Sequence, residues 1–182
     1  MPIVVANRRK QLKTLEREFP GYEIIDLTSK APEPWVRFSP FYPHGNIPVP
    51  FSAAVSQSVE GLWQGLKVFE SADVDLNKLQ VTSMKGLKRT VRKYGKVLGH
   101  RRGTQGTELL DYLTARQQIY LPAYRWVLEN CLQTEVELLR AKADAGVVLL
   151  DYETNGDVMD LSRPLSHAQL VKQYLESTQP VS

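Results

Sequence analysis

Six of the eleven prolines fall between Lys30 and Ser56. Proline fixes φ and removes a backbone donor, so this stretch cannot form a long helix or a central strand. It separates a short N-terminal segment from a longer remainder. Before it, Ile3 to Ala6 reads as a short buried strand and Arg8 to Glu18 as a helix with Leu12 and Leu15 inward. Tyr22 to Leu27 follows as a second strand after the Pro20-Gly21 turn. This β-α-β start, at about residues 1–30, is compatible with two parallel strands joined by a right-handed crossover. Asn7-Arg8-Arg9 stands where a dinucleotide fingerprint requires glycines, which argues against a Rossmann enzyme.

After the proline-rich stretch the pattern predicts a helix over 57–69 and a loop or short turn over Asp73 to Leu79. A basic helix over Met84 to Leu98 follows, then a flexible basic loop over Gly99 to Gly106. A long helix from about Thr107 to Glu129, bent at Pro122, and a further helix over Glu135 to Ala143 come next. Val147 to Tyr152 is a β-branched and leucine run bounded by Gly146 and the Thr154-Asn155-Gly156 turn, and reads as a strand. Leu165 to Glu176, with Ser162 or Ser166 near its start, closes the chain as a helix. The expectation is a helix-rich α+β fold with a small sheet. With 182 residues and 42% hydrophobic content, one domain spanning 1–182 is the economical reading.

Cys131 is the only cysteine, which leaves no intramolecular disulfide and no cysteine-type zinc cluster. Its place in a helical apolar pattern suggests a buried structural thiol. His44, His100 and His167 are far apart and in no metal-ligand spacing. Neither a metal nor a cofactor is indicated. No run of eighteen apolar residues appears, and the N-terminal apolar stretch is too short for a secretion signal. A soluble cytoplasmic protein without membrane partners is expected.

The segment Ser58-Val59-Glu60-Gly61-Leu62-Trp63-Gln64-Gly65-Leu66-Lys67-Val68-Phe69 carries the most chemistry. At about 100° per residue, Glu60, Gln64 and Lys67 fall within roughly 60° of one another on a helix. Val59, Leu62, Leu66 and Phe69 form the opposite, apolar stripe. The same pattern also describes the wet side of an ordinary amphipathic helix. The lead-in, Phe38 to Ser52, crowds aromatic, small and polar residues into a loop suited to a binding wall.

Phe38-Ser39-Pro40-Phe41-Tyr42-Pro43, a short extended piece, and then S-V-E-x-x-W-Q-x-x-K-x-F together resemble the NADAR superfamily. The likeness is most specific over residues 37 to 69. More weakly, Gly95 to His100 is similar to the family's glycine segment, Arg116 to Asn130 to its next helix, and Val147 to Asp151 to its late strand. Pro40 stands where the family commonly has Asn, Gly61 where it commonly has His, and the late Trp-Gly motif is missing. The chain thus looks like a divergent branch.

The resemblance implies cleavage at the anomeric carbon of an ADP-ribose-like ribose, as in removal of ADP-ribose from a modified, guanine-type base. Such cleavage builds positive charge on the sugar and negative charge on the departing base. On this reading Glu60 is the acid/base. Lys67 is either a nucleophile forming a Schiff base or a permanently charged partner of Glu60 or a phosphate. Gln64 would orient a ribose hydroxyl. Trp63, Phe41 and Tyr42 would stack the base, although each also suits core packing. Ser39 and Asn46 match the family's substrate-facing loop. Asp151 aligns with its late acid and Asn155 follows in a turn. His100 and His167 could meet phosphate, or the latter simply cap a helix.

Lys85, Lys88, Arg89, Arg92, Lys93, Lys96, Arg101 and Arg102 crowd into eighteen residues of a chain whose formal charge is only +3. They could attract the phosphates of a nucleic acid or a pyrophosphate, or form a solvated helix face. Arg101 and Arg102, in the glycine-flanked loop, are the better phosphate candidates. Expected substrates are therefore an ADP-ribose-containing nucleotide or ADP-ribosylated nucleic acid. A small phosphoribosyl-amine metabolite, or a non-catalytic nucleotide- or nucleic-acid-binding role, is the alternative.

Overall fold

The computed structural model describes residues 2–178. In chain order its elements are β1 (Ile3–Asn7), α1 (Leu12–Glu18), β2 (Glu23–Asp26), β3 (Ile47–Pro48), β4 (Val55–Ser56), α2 (Val59–Gly65), β5 (Lys67–Phe69) and α3 (Val91–Tyr94). There follow β6 (Val97–Arg101), β7 (Leu109–Leu110), α4 (Tyr112–Ala115), α5 (Leu121–Asn130), α6 (Gln133–Ala143), β8 (Val147–Asp151) and α7 (His167–Ser177). The chain has an α+β fold and divides into two compact units. One is Met1–Ser39 with Leu132–Ser182, the other Pro40–Cys131.

The first unit contains the expected β-α-β start, with a difference. β1 and β2 lie in one sheet and run the same way, but β8 is inserted between them, Val147 facing both Ile3 and Glu23. A central parallel strand must be apolar on both faces, and every residue of Val147–Asp151 is buried. Ala6, Leu15, Val148 and Leu150 form a core cluster against which Val4, Phe19, Tyr22 and Ile24 pack. α1 begins at Leu12 rather than Arg8 because the preceding residues turn. The Arg8 Nε bonds Asp26 at 2.6 Å and the Arg9 amide bonds the Asn7 side chain.

The second unit holds two small antiparallel sheets, β3-β4 and β5-β6-β7. Its helices are shorter than the periodicity predicts. The helix over 57–69 stops at Gly65, because sheet pairing captures Lys67–Phe69 and buries Val68 and Phe69. Of the basic stretch Met84 to Leu98, only Val91–Tyr94 is helical. Gly95 ends it at φ +80°, where a Cβ would also stand 2.7 Å from Oε2 of Glu70. Gly99 to Arg101 belong to β6 rather than to a flexible loop. The long helix over 107–129 is divided into β7, α4, a π-helical turn at Arg116–Tyr120, and α5. Pro122 sits in the first turn of α5, directly after the π-helical turn at Arg116–Tyr120. Cys131 is half-buried, not fully buried as expected. No helix among the described residues is long and apolar enough to cross a membrane.

Candidate active site

α2 is fixed at its start by Ser58, whose side chain accepts from the Gly61 amide at 2.9 Å. The Glu60 amide donates to the Pro40 carbonyl at 2.8 Å, tying the aromatic loop to the first turn. One side of α2 carries Gly61 and Gly65 because nothing larger fits. A Cβ on Gly61 would lie 2.7 Å from the Lys78 carbonyl oxygen, and one on Gly65 2.5 Å from Cδ1 of Leu79. This close approach to the 3-10 turn at Leu76–Gln80 is the physical reason for glycine at position 61.

Glu60 and Gln64 lie one turn apart and are both buried. The Gln64 Nε2 donates to Oε1 of Glu60 at 2.8 Å, and the Gln64 Oε1 accepts from the Arg89 amide at 3.0 Å. The amide is therefore committed to holding the carboxylate and to anchoring residue 89, not to a ribose hydroxyl alone. Burial pushes the Glu60 carboxyl up, against the opposing pull of the Gln64 hydrogen bond and the charges of Lys67 and Lys88.

Lys67 is not on the helix. It opens β5, directly opposite His100 of β6, so that both side chains project from one face of the sheet. Burial pushes its ammonium down; Glu60 opposes this, while Arg89 and Lys88 add to it. No direct ion pair joins Glu60 and Lys67 among the described residues. Each feels the other's charge without touching it.

His100 is 1% exposed, and neither of its ring nitrogens has a hydrogen-bond partner. Burial first, and the Lys67 charge second, hold its pKa at about 3. Trp63 stacks on it at 3.7 Å between ring centroids, and Tyr120 meets the indole edge-on at 5.5 Å. Trp63 thus belongs to an aromatic cluster beside Lys67.

Lys88 and Arg89 are the members of this site that helical periodicity misplaces. Positions 87 to 90 alternate buried and exposed, the period-two signature of extended chain. Arg89 is buried and donates to the carbonyls of Gln64, Lys67 and Asp73 at 3.1, 2.6 and 2.6 Å. The Lys88 ammonium lies over the Phe41 ring at 5.6 Å.

Phe41 and Tyr42 are half-buried and Asn46 is exposed with φ +54°. Arg101 is occupied by Asp73 at 2.8 Å and by the Thr107 carbonyl. Ser39, Asp151, Asn155 and His167 lie in the other unit. There Asn155 is a turn residue, donating to the carbonyls of Asp160 and Arg163. The Asp151 Oδ2 accepts from Ser166 and faces Nδ1 of His167 at 3.0 Å, while His167 Nε2 meets the Leu27 carbonyl at 2.8 Å. Both imidazole nitrogens therefore face acceptors, which favours the doubly protonated ring. Burial alone would push His167 down, but Asp151 raises it overall. Burial likewise opposes ionised Asp151, yet His167, Ser166 and the Ala168 amide hold its carboxyl low.

Among the described residues, no group of three or more His, Cys, Asp or Glu could hold a metal ion. No curated protein matches the chain. A family model does match, over residues 7–171, and it spans both units. The chain belongs to that family, DUF6939, a family of unknown function.

Proposed function

We propose that Glu60, Gln64 and Lys67 form the reaction centre of an N-glycosidase acting on an ADP-ribosylated, guanine-type base or a related ADP-ribose nucleotide. The observation that carries this reading is a buried carboxyl shifted toward its protonated form beside an amine shifted toward its neutral form, with no ion pair consuming either. Protonated Glu60 donates to the departing base as the glycosidic bond breaks. The Lys67 nitrogen attacks the anomeric carbon and, after losing a proton to the Glu60 carboxylate, opens the sugar to a Schiff base. Water adds to that imine, and the ribose leaves as the free sugar with Lys67 restored. Trp63 offers a planar face for the base, and Lys88 supplies positive charge for a phosphate.

The test is a side-by-side assay of wild type and Glu60→Gln on an ADP-ribosylated guanine oligonucleotide, the corresponding free nucleotide, and a phosphoribosyl-amine. Release of ADP-ribose by wild type, reduced at least about 100-fold in the variant, supports the proposal. Turnover of the phosphoribosyl-amine alone moves the substrate, and binding without product removes the chemistry.

A further inference from the structure

Residues 76–107 contain nine Lys and Arg and no Asp or Glu, whereas the rest of the chain has fourteen cations and twenty acids. The chain's near-neutral total therefore conceals a strongly one-sided distribution of charge. The segment is built to present it. Leu87 and Arg89 are buried and pin the strip inward, and Lys78 holds the Gly86 carbonyl at 2.6 Å. Lys85, Lys88, Arg92, Lys93 and Lys96 are left exposed. None of the five has a carboxylate partner among the described residues. Two neighbouring acids are engaged elsewhere: Glu70 accepts from the Lys96 amide and Asp73 from Arg101.

We infer that this strip is a docking surface for the backbone of single-stranded nucleic acid, leading to the Glu60–Lys67 corner through Lys88. Unpaired cations in series are what a phosphate chain needs. Two of them rest on aromatic rings, Lys88 over Phe41 and Lys93 over Tyr94 at 5.1 Å, contacts that hold the ammonium groups in place at the surface. α3 is only four residues long, too short to lie in a lipid interface as an amphipathic anchor. The choice of single strand over duplex rests on the N-glycosidase reading, because a base whose glycosidic bond is attacked must leave the stack. The docking itself does not depend on turnover.

The test uses the full chain and an unmodified, fluorescein-labelled thymidine 16-mer, with anisotropy read from 50 to 200 mM salt. Five phosphate contacts give a slope of log K against log salt of about −3.5, hence about 100-fold weaker binding across that range. Replacing Lys85, Arg92, Lys93 and Lys96 together by Ala should reduce the slope to about −0.7, while the four-fold Arg or Lys exchange, which keeps the charge, should retain it. Circular dichroism of both variants checks that they fold. Absence of binding at 50 mM salt, an unchanged slope in the Ala variant, or binding to phosphatidylserine vesicles in preference to the oligonucleotide would overturn the inference. Because the probe carries no ADP-ribose, these outcomes leave the glycosidase question separate.

Discussion

Gln64 gives its side-chain N–H to Glu60 and takes the Arg89 amide on its oxygen, so one amide holds both the carboxyl group and the strip of chain that lies beside it. The hydrogen bond to Glu60 opposes the upward push of burial on that carboxyl. Replacing Gln64 by Leu removes the opposition, and the Glu60 carboxyl moves further up. If protonated Glu60 is the acid, the alkaline limb of the pH–rate profile shifts to higher pH. The orphaned Arg89 amide should also lower unfolding stability by about 1–3 kcal/mol, read from urea denaturation.

The glycine face of α2 makes a prediction independent of chemistry. Gly61→Ala places a methyl 2.7 Å from a backbone carbonyl that cannot rotate away. A loss of about 1–3 kcal/mol is expected in chemical denaturation, and the bulkier Gly61→His should lose more. Equal stability of all three proteins would mean that the 3-10 turn at Leu76–Gln80 yields freely.

The two buried histidines should respond to pH with opposite sign. The folded His100 resists protonation, with a pKa of about 3, while the unfolded chain takes up its proton near pH 6.5. Stability is therefore lost as pH falls below that value, and His100→Phe should remove the loss. The folded His167 is raised by Asp151. Its contribution is complete below about pH 6.5 and is lost as pH climbs through the folded value. Asp151, held low, contributes above about pH 3.9 and loses that contribution as pH falls through its folded value. His167→Gln, which leaves Asp151 buried and unpaired, should cost about 3–5 kcal/mol. Urea midpoints between pH 5 and 8.5 check both. By NMR the His100 ring should not titrate between pH 5 and 8.

Lys67 as nucleophile predicts a covalent adduct. Borohydride added during turnover of ADP-ribosylated guanine should fix the ribose to Lys67, mapped by peptide mass, and Lys67→Met should give none. Turnover without any trapped adduct would leave Lys67 as a charged partner only.

The residues that could be read directly from sequence were those whose environment is local. Val147–Asp151 declares itself because an apolar run of strand length has few other uses, and a serine at 162 or 166 signals the last helix, Ser166 being the one that caps α7. What eluded periodicity depended on distant partners. Lys67 sits on helical spacing from Glu60, yet pairing with His100, thirty-three residues away, turns it into a strand. Arg89 looks like one cation among many until three carbonyls draw it inward. The insertion of β8 between β1 and β2 likewise involves chain ends that no short window sees together. Glu60 and Gln64 remain one turn apart as their spacing predicts, whereas Asp151, Asn155 and His167 belong to the other unit's internal bonding.

The most direct measurement is a double-mutant cycle on ADP-ribose release from an ADP-ribosylated guanine oligonucleotide, comparing wild type, Glu60→Gln, Lys67→Met and the double variant. If carboxyl and amine work as one centre, each single change lowers kcat/KM at least about 100-fold and the double change falls little further. No release by wild type, or release undiminished in Glu60→Gln, would contradict it.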